Sequence, residues 1–155
     1  MKVLVAAVGS AGNDPVSEAI REYEERASRY FDFEAVEVRA GAGGEPADVR
    51  RREGERLVDR VSDELQWFAL TRGGRGMRSR RLARYLEELA TYGRAGAAFL
   101  LGGAHGLDER VLERARYRLS LSPMTLPHAL ARLVLTEQIY RAGTIARGEP
   151  YHKER

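Results

Sequence analysis

The sequence predicts an α/β fold with a mostly parallel sheet and helices on both faces. Short apolar runs alternate with amphipathic stretches along all 155 residues, which is the order of elements that a parallel sheet requires. The first run, Lys2–Val8, is apolar at successive positions, as in a strand that is buried on both faces. No repeat, low-complexity tract or long linker divides the chain. Residues 1–155 are therefore expected to form one domain.

The first half of the chain predicts strands that are each followed by a helix. After Lys2–Val8, Asp14 is a favoured N-cap residue and Pro15 is favoured in the first helical turn. The run Phe33–Val38 predicts the second strand, and Pro46 opens a second helix after a glycine loop.

The middle of the chain predicts a third strand, a basic loop and a third helix. The strand is expected at Gln66–Thr71, followed by the glycine- and arginine-rich loop TRGGRGMR. Ser79 is expected to cap the helix, which should stop at Gly93. The loop contains no Lys-Ser or Lys-Thr pair, so it is not a P-loop, and it is either an RNA phosphate contact or a solvated surface loop.

The last third repeats the same order. Ala97–Leu101 predicts a strand, Asp108 is expected to cap a short helix, and Arg118–Leu121 predicts the last strand. A long helix is expected to begin near Pro127. The final residues, GEPYHKER, are expected to be irregular.

Composition excludes several classes of protein. The chain has no cysteine, which excludes disulfides, thiolate metal sites and a cysteine nucleophile. The basic and acidic residues number 26 and 23, and Lys2 and Lys153 are the only lysines. The excess of arginine favours an anionic partner or reflects codon usage. Because the net charge is only +3, affinity for RNA would have to come from a local patch.

The amino-terminal region lacks the features of two common classes. Its apolar run, Val3–Val8, is too short for a signal peptide or a membrane span, so a cytoplasmic location is expected. The segment Val8–Gly12 begins like a dinucleotide-binding fingerprint but lacks its third glycine. A nicotinamide site is therefore not favoured.

Two segments in the last third have the features of a ligand site. LLGGAHGL runs an apolar strand into a glycine pair that permits close backbone approach. LSLSPMTLPHALARL places a tight proline-bounded loop, Ser122–Pro127, between a strand and a helix. Loops at the carboxyl ends of neighbouring parallel strands lie together. The two segments therefore predict one nucleoside pocket.

These motifs identify a family resemblance. GGAHGL, LSLSPMTLPHALARLVLTEQIYRA and the terminal PYHK resemble the small SPOUT-superfamily methyltransferases that modify N3 of pseudouridine in large-subunit ribosomal RNA. The resemblance extends over essentially the whole chain and is densest from Leu100 to Lys153.

The resemblance implies a doubly wound fold whose C-terminal segment forms a trefoil knot, an exception to the usual absence of threading. It implies a homodimer that uses S-adenosylmethionine, without a metal, on a pseudouridine of 23S rRNA within the assembled ribosome. The cofactor contacts carried over by position are Leu70 or Thr71, Gly102, Gly103, Ser122, Pro123, Met124, Thr125, Leu126 and Pro127.

Four residues are candidates for the chemistry. His128 follows the cofactor loop and is either a site residue or a helix-start residue. Arg132, four residues on, shares its helix face and could hold a phosphate or stabilise the N3 anion. His152 and Tyr151 in the tail could reach a partner's active site across a dimer. Pseudouridine N3–H is weakly acidic, so a base or a nearby positive charge would assist methyl transfer.

Two alternatives stay open at this point. One is a SPOUT enzyme that acts on another RNA such as transfer RNA, although the chain has no appended RNA-binding domain. The other is a non-catalytic ribosome-binding protein that retains the fold. Binding of S-adenosylmethionine would separate the second alternative from the enzymes.

Overall fold

A computed structural model describes residues 1–153, apart from the side chain of His152. Five strands alternate with five helices, followed by a short 3₁₀ helix. In chain order they are β1 (Lys2–Val8), α1 (Pro15–Ser28), β2 (Asp32–Val38), α2 (Pro46–Val58), β3 (Gln66–Gly76), α3 (Ser79–Thr91), β4 (Gly96–Leu101), α4 (Glu109–Arg114), β5 (Tyr117–Ser120), α5 (His128–Ala146) and the 3₁₀ helix Pro150–His152.

The five strands form one sheet in the order β2-β1-β4-β3-β5. All four ladders are parallel. Strand β4 lies at the centre, where Phe99 pairs with Val5 of β1 and Phe68 of β3. Every strand therefore ends at the same edge of the sheet, and the loops that follow the strands meet there.

Helices cover both faces of this sheet, as the sequence predicts. On one face, Val3, Val5 and Phe99 pack with residues of α3 and α5 such as Leu86 and Leu135. The alternate strand positions point to the opposite face. There they pack with residues of α2 and α4, which include Leu57 and Val111. The prediction of an α/β fold with two helical layers is confirmed.

Two predicted helix caps are confirmed and one is wrong. Asp14 Oδ1 accepts a hydrogen bond from the Ser17 amide at 2.8 Å, and Asp108 Oδ1 accepts one from the Arg110 amide at 3.2 Å. Ser79 is instead the first residue of α3. Its hydroxyl donates to Gln138 Oε1 at 2.6 Å, so it joins α3 to α5 and does not cap its own helix.

The glycine- and arginine-rich segment is a strand, not the expected free loop. Strand β3 continues to Gly76, and after a register shift Arg75 and Gly76 pair with Leu119 and Ser120 of β5. A Cβ at Gly74 would lie 2.5 Å from the Arg118 carbonyl oxygen. The glycine thus permits the close approach of two backbones at a bulge.

The described part of the tail forms a short 3₁₀ helix that packs against α5, whereas the sequence predicts an irregular segment; its last two residues lie outside the described part. The Tyr151 hydroxyl donates to Glu137 Oε1 at 3.0 Å, and the Tyr151 ring packs edge-on against Tyr140 with centroids 4.7 Å apart. The Tyr30 hydroxyl donates to Glu149 Oε2 at 2.5 Å. This hydrogen bond raises the pKa of Tyr30 to about 12. These contacts hold the chain after α5 against α1 and α5.

The trefoil knot implied by the resemblance stays a prediction. Within the described part of the chain, no helix combines the length and the apolarity needed to cross a membrane.

Candidate functional site

A cavity of about 740 Å³ opens at the carboxyl edge of the sheet. It lies among the ends of β1 and β4, the middle of β3 and the loop that follows β5. Eight of the ten predicted cofactor positions line it, and so does His128; these residues are Leu70, Thr71, Gly102, Gly103, Ser122, Met124, Thr125, Leu126 and His128. Pro123 and Pro127 are not among the lining residues. The two loops predicted to form one pocket do meet.

The glycine loop after β4 forms one wall of this cavity. The Gly106 amide donates to the Gly103 carbonyl at 3.1 Å, and Gly106 has a φ of +82°, which favours glycine. A Cβ at Gly102 would lie 2.5 Å from the Gly106 carbonyl carbon. The turn is closed so tightly that a side chain does not fit at Gly102. Backbone groups therefore face a ligand at this position.

The loop Ser122–Leu126 forms the opposite wall. Ser122 Oγ accepts a hydrogen bond from the Met124 amide at 2.9 Å, and the Ser120 hydroxyl donates to the Ser122 carbonyl at 3.0 Å. Arg72 Nη1 donates to Thr125 Oγ1 at 2.6 Å, which ties this loop to the middle of β3. The loop is fixed by its own polar groups, and its Met124 side chain is 77% exposed at the rim.

His128 is the titratable side chain that faces the cavity from α5. Its Nε2 is buried and has no hydrogen-bond partner within the described part of the chain. Burial lowers the pKa of His128, and the positive charge of Arg132 lowers it further against the opposing effect of Glu37 and Glu53. The imidazole is therefore neutral at pH 7 and able to accept a proton.

Arg132 lies on the same helix but does not line the cavity. It is 4% exposed and donates to Glu24 Oε1 at 2.8 Å and to Glu37 Oε1 at 2.5 Å. Burial opposes the charge of Arg132, but the two hydrogen bonds raise its pKa above the usual value. Both terminal nitrogens of Arg132 thus bind carboxylates of α1 and β2. They are therefore not available to bind a phosphate.

Glu53 is a functional candidate that the sequence reasoning missed. It is 3% exposed. Its Oε1 accepts from the Gly41 amide at 2.8 Å, and its Oε2 has no partner within residues 1–153. A Cβ at Gly103 would lie 2.8 Å from that oxygen. The signal was present in the sequence, because Glu53 falls on the buried helical stripe between Val49 and Leu57.

Tyr151 of the tail lies against the middle of α5. Tyr151 contacts Glu137, which is nine residues from His128 and so about 13 Å further along the helix axis. The structure therefore does not bring Tyr151 to the cavity of its own chain. The side chain of His152, the other tail candidate, lies outside the described part of the structure.

The cavity fits the cofactor that the resemblance implies. Its volume is within the usual range for small-molecule sites. Two glycines at its wall expose backbone groups that can bind an adenosyl group. His128 Nε2 is available to form a hydrogen bond with a ligand. Among residues 1–153, without the His152 side chain, no three His, Cys, Asp or Glu residues converge in the manner of a metal site.

Comparison with known proteins also indicates a methyltransferase. The family model described as "Predicted SPOUT methyltransferase" matches residues 1–152. The chain is 48% identical over 155 residues to a protein of Gemmatimonas aurantiaca named "Ribosomal RNA large subunit methyltransferase H", which covers 99% of this chain and 100% of the relative. A protein of the same name from Bacillus thuringiensis is 40% identical over 159 residues, with the same coverage.

The fold has a counterpart among solved structures. "The structure of a probable methylase family protein from Haemophilus influenzae" superimposes with a TM-score of 0.53 at 13% identity, covering 99% of this chain and 70% of that one. Because the family model covers nearly the whole chain and full-length relatives are 40% and 48% identical, the chain belongs to the SPOUT methyltransferase family.

Proposed function

We propose that this protein transfers a methyl group from S-adenosylmethionine to N3 of a pseudouridine in 23S rRNA on the assembled ribosome, in the cytoplasm. The observation that carries the proposal is the cavity itself, which is lined by most of the positions carried over from the resemblance and contains a neutral histidine. The full-length similarity to proteins named as large-subunit ribosomal RNA methyltransferases supports the choice of RNA.

The cofactor would be held mainly by backbone. Amides and carbonyls that could bind an adenine ring come from Gly102 and Gly103 on one side and from the loop Ser122–Pro127 on the other. Leu70 and Thr71 lie beside them in the middle of β3, where its pairing with β4 ends. S-adenosylmethionine supplies a methyl group on a sulfonium, a displacement that requires alignment and no metal. Glu53 is bonded to the loop after β2 and lies against Gly103 of the loop after β4, so it would help to shape this wall.

The chain's own contribution to the chemistry is one proton transfer. N3 of pseudouridine must lose its proton for its electron pair to form the new bond to carbon. His128 Nε2 is the acceptor that we assign, because it is uncharged, faces the cavity and has no competing partner. Arg132 then acts as a positioning residue, since it holds α5 in place and lowers the pKa of His128 through its charge.

The active unit that we propose is a homodimer of single-domain chains. Leu130 and Val134 on α5 are 39% and 38% exposed, an apolar surface that a second copy could cover. The tail of one chain lies against the middle of α5, about 13 Å along the helix from its own His128. Tyr151 and His152 would therefore serve the cavity of the partner.

The test is methylation of ribosomes that lack the modification. Purified protein, radiolabelled S-adenosylmethionine and intact ribosomes should give a single labelled nucleotide, identified by nuclease mapping as N3-methylpseudouridine in 23S rRNA. The variant His128→Gln serves as the control that binds cofactor without rapid turnover. Label in transfer RNA would overturn the choice of substrate. Absence of cofactor binding by calorimetry would favour a non-catalytic ribosome-binding protein.

A further inference from the structure

Five exposed arginines that have no carboxylate within 4.0 Å in the described part of the chain lie along the end of β3 and the beginning of α3. We call them the arginine strip; they are Arg72, Arg75, Arg78, Arg80 and Arg84. Arg81, which lies between the last two of them, pairs instead with Glu88. The segment that carries the strip is the one that the sequence suggested to be a loop. It is fixed instead by pairing with β5, so the strip is part of an ordered surface.

The strip differs in its partners from the arginines of the chain that form ion pairs. Arg110, Arg114 and Arg118, for example, each lie within 4.0 Å of a carboxylate. Within residues 1–153, no carboxylate lies that close to any arginine of the strip. Among the described residues, Arg72 has the Thr125 hydroxyl as its one side-chain partner. The strip is therefore a local excess of positive charge on a chain of nearly balanced charge.

The position of the strip is unfavourable for the isolated protein. The first turn of α3 has no acidic residue, and Arg78 and Arg80 place positive charge at a helix N-terminus, against the helix dipole. Arg80 and Arg84 are like charges four residues apart on one helix face. Local conflicts of this kind are typical of functional surfaces. A bound polyanion would relieve them.

The strip is continuous with the cavity. Arg72 lines the cavity, and the strip leads away from that point along extended backbone. At about 3.3 Å per residue the distance from Arg72 to Arg78 is at most about 20 Å. This length exceeds what a nucleoside cofactor could occupy, but it suits consecutive phosphates of a polymer that enters the cavity with one nucleotide.

We propose that the arginine strip binds the phosphate backbone of the RNA strand that flanks the target nucleotide. This inference rests on the proposed function, because it takes the substrate to be RNA. Guanidinium groups bind phosphate oxygens through paired hydrogen bonds and without sequence preference. The strip would thus position the strand, and the cavity would select the base.

The test compares two triple variants of equal charge. R75Q/R78Q/R80Q removes three charges from the strip. R60Q/R94Q/R116Q removes three exposed arginines that precede β3, β4 and β5, at the opposite edge of the sheet from the cavity. Binding of a labelled 20-nucleotide single-stranded RNA is measured at several salt concentrations. Cofactor binding and thermal unfolding are measured on the same samples.

The strip variant should bind RNA at least 10-fold more weakly at 0.1 M salt. The slope of log affinity against log salt should become shallower by about 2, at about 0.7 per phosphate contact on a single strand. The control variant should stay within twofold of wild type, and both should keep wild-type cofactor affinity. Should the strip variant unfold, Arg84→Gln replaces it, since this change relieves a like-charge pair and should weaken RNA binding about threefold.

Equal RNA affinity and salt slope in wild type and strip variant would overturn the inference. Unchanged RNA affinity with weaker binding to large ribosomal subunits would also overturn it, in favour of an acidic protein as the partner. Failure of the wild-type protein to methylate ribosomes would count against the proposed function alone, because the RNA measurement requires no turnover.

Discussion

Arg132 Nη1 lies 2.5 Å from Glu37 Oε1, and this partly buried ion pair connects the helix that carries His128 to the carboxyl end of β2. The same Glu37 oxygen accepts a hydrogen bond from the Ala11 amide at 3.0 Å, in the loop after β1. Arg132 also holds Glu24 of α1. One guanidinium therefore fixes α5 relative to three neighbouring segments at the edge of the sheet where the cavity lies.

Replacing Arg132 with methionine should destabilise the protein. The change leaves Glu24 and Glu37 without their cation at a site where Arg132 is 4% exposed. We expect a loss of about 2–3 kcal/mol in the free energy of unfolding, at or below the lower end for a broken buried pair because the Glu37 side chain is 37% exposed. Urea titration measures it. Arg81→Ala, which breaks an exposed pair with Glu88 at 3.9 Å, should cost less than about 1 kcal/mol. Equal losses would show that burial of Arg132 is not decisive.

The rate of methylation should fall in acid as His128 gains a proton. Burial and Arg132 hold the pKa of His128 below its ordinary value of 6.5. The neutral, proton-accepting form is thus favoured from neutral pH upward and is lost only as the pH falls through the lowered pKa. Single-turnover rates from pH 5 to 8.5 should be flat above about 6.5 and decline below it.

Two variants distinguish the roles of His128 and Arg132. His128→Gln should lower the rate by about 10²–10⁴-fold and abolish the acidic limb, with cofactor affinity unchanged. Arg132→Met should keep the limb but move it to higher pH, because removal of the positive charge favours protonation of His128. An unmoved limb in Arg132→Met would exclude the positioning role.

Much of the fold and of the cavity could be predicted from the sequence because both follow from local signals. The bounds of β1, the caps Asp14 and Asp108 and the start of α5 after Pro127 agree with the structure. The cavity also follows, since parallel strands bring the loops after Leu101 and Ser120 to one edge.

The features that were not predicted depend on contacts between distant residues. Ser79 reads as an N-cap by type, but its hydroxyl bonds to Gln138, 59 positions away. The segment around Gly74 has the composition of a loop, but it forms a strand because β5 pairs with it. The sequence shows no ion-pair partner for Arg132, because only the fold brings Glu24 and Glu37 to it. Sequence spacing alone carries no information about such partners.

Gly102→Ala should weaken cofactor binding without unfolding the protein. The new methyl group would lie 2.5 Å from the Gly106 carbonyl carbon, and backbone on both sides prevents a small adjustment. The turn must open, so we expect at least a 10-fold rise in the dissociation constant for S-adenosylmethionine by calorimetry. Gly73→Ala is the matched control, because a Cβ there meets no atom within 4 Å and the residue has no positive φ. Similar losses in both variants would contradict the assignment of this wall to the cofactor.

The proposed contribution of the tail across a dimer predicts complementation between two inactive proteins. A chain ending at Gly148 lacks Tyr151 and His152, and His128→Gln lacks the base. Each alone should have low activity. A heterodimer, purified with two different affinity tags, contains one cavity with His128 and a partner tail, so it should recover about half of the wild-type activity.

The result of that experiment depends on where the tail acts. Tyr151 is held by Glu137 and Tyr23 in its own chain, about 13 Å along α5 from His128. If the tail acted within its own chain, the heterodimer would have no cavity with both groups and would stay inactive. Full activity of the shortened chain alone would remove the tail from the mechanism. Tyr151→Phe, which keeps the ring that packs on Tyr140 and loses only the hydroxyl, separates a catalytic contribution of the tail from its effect on folding.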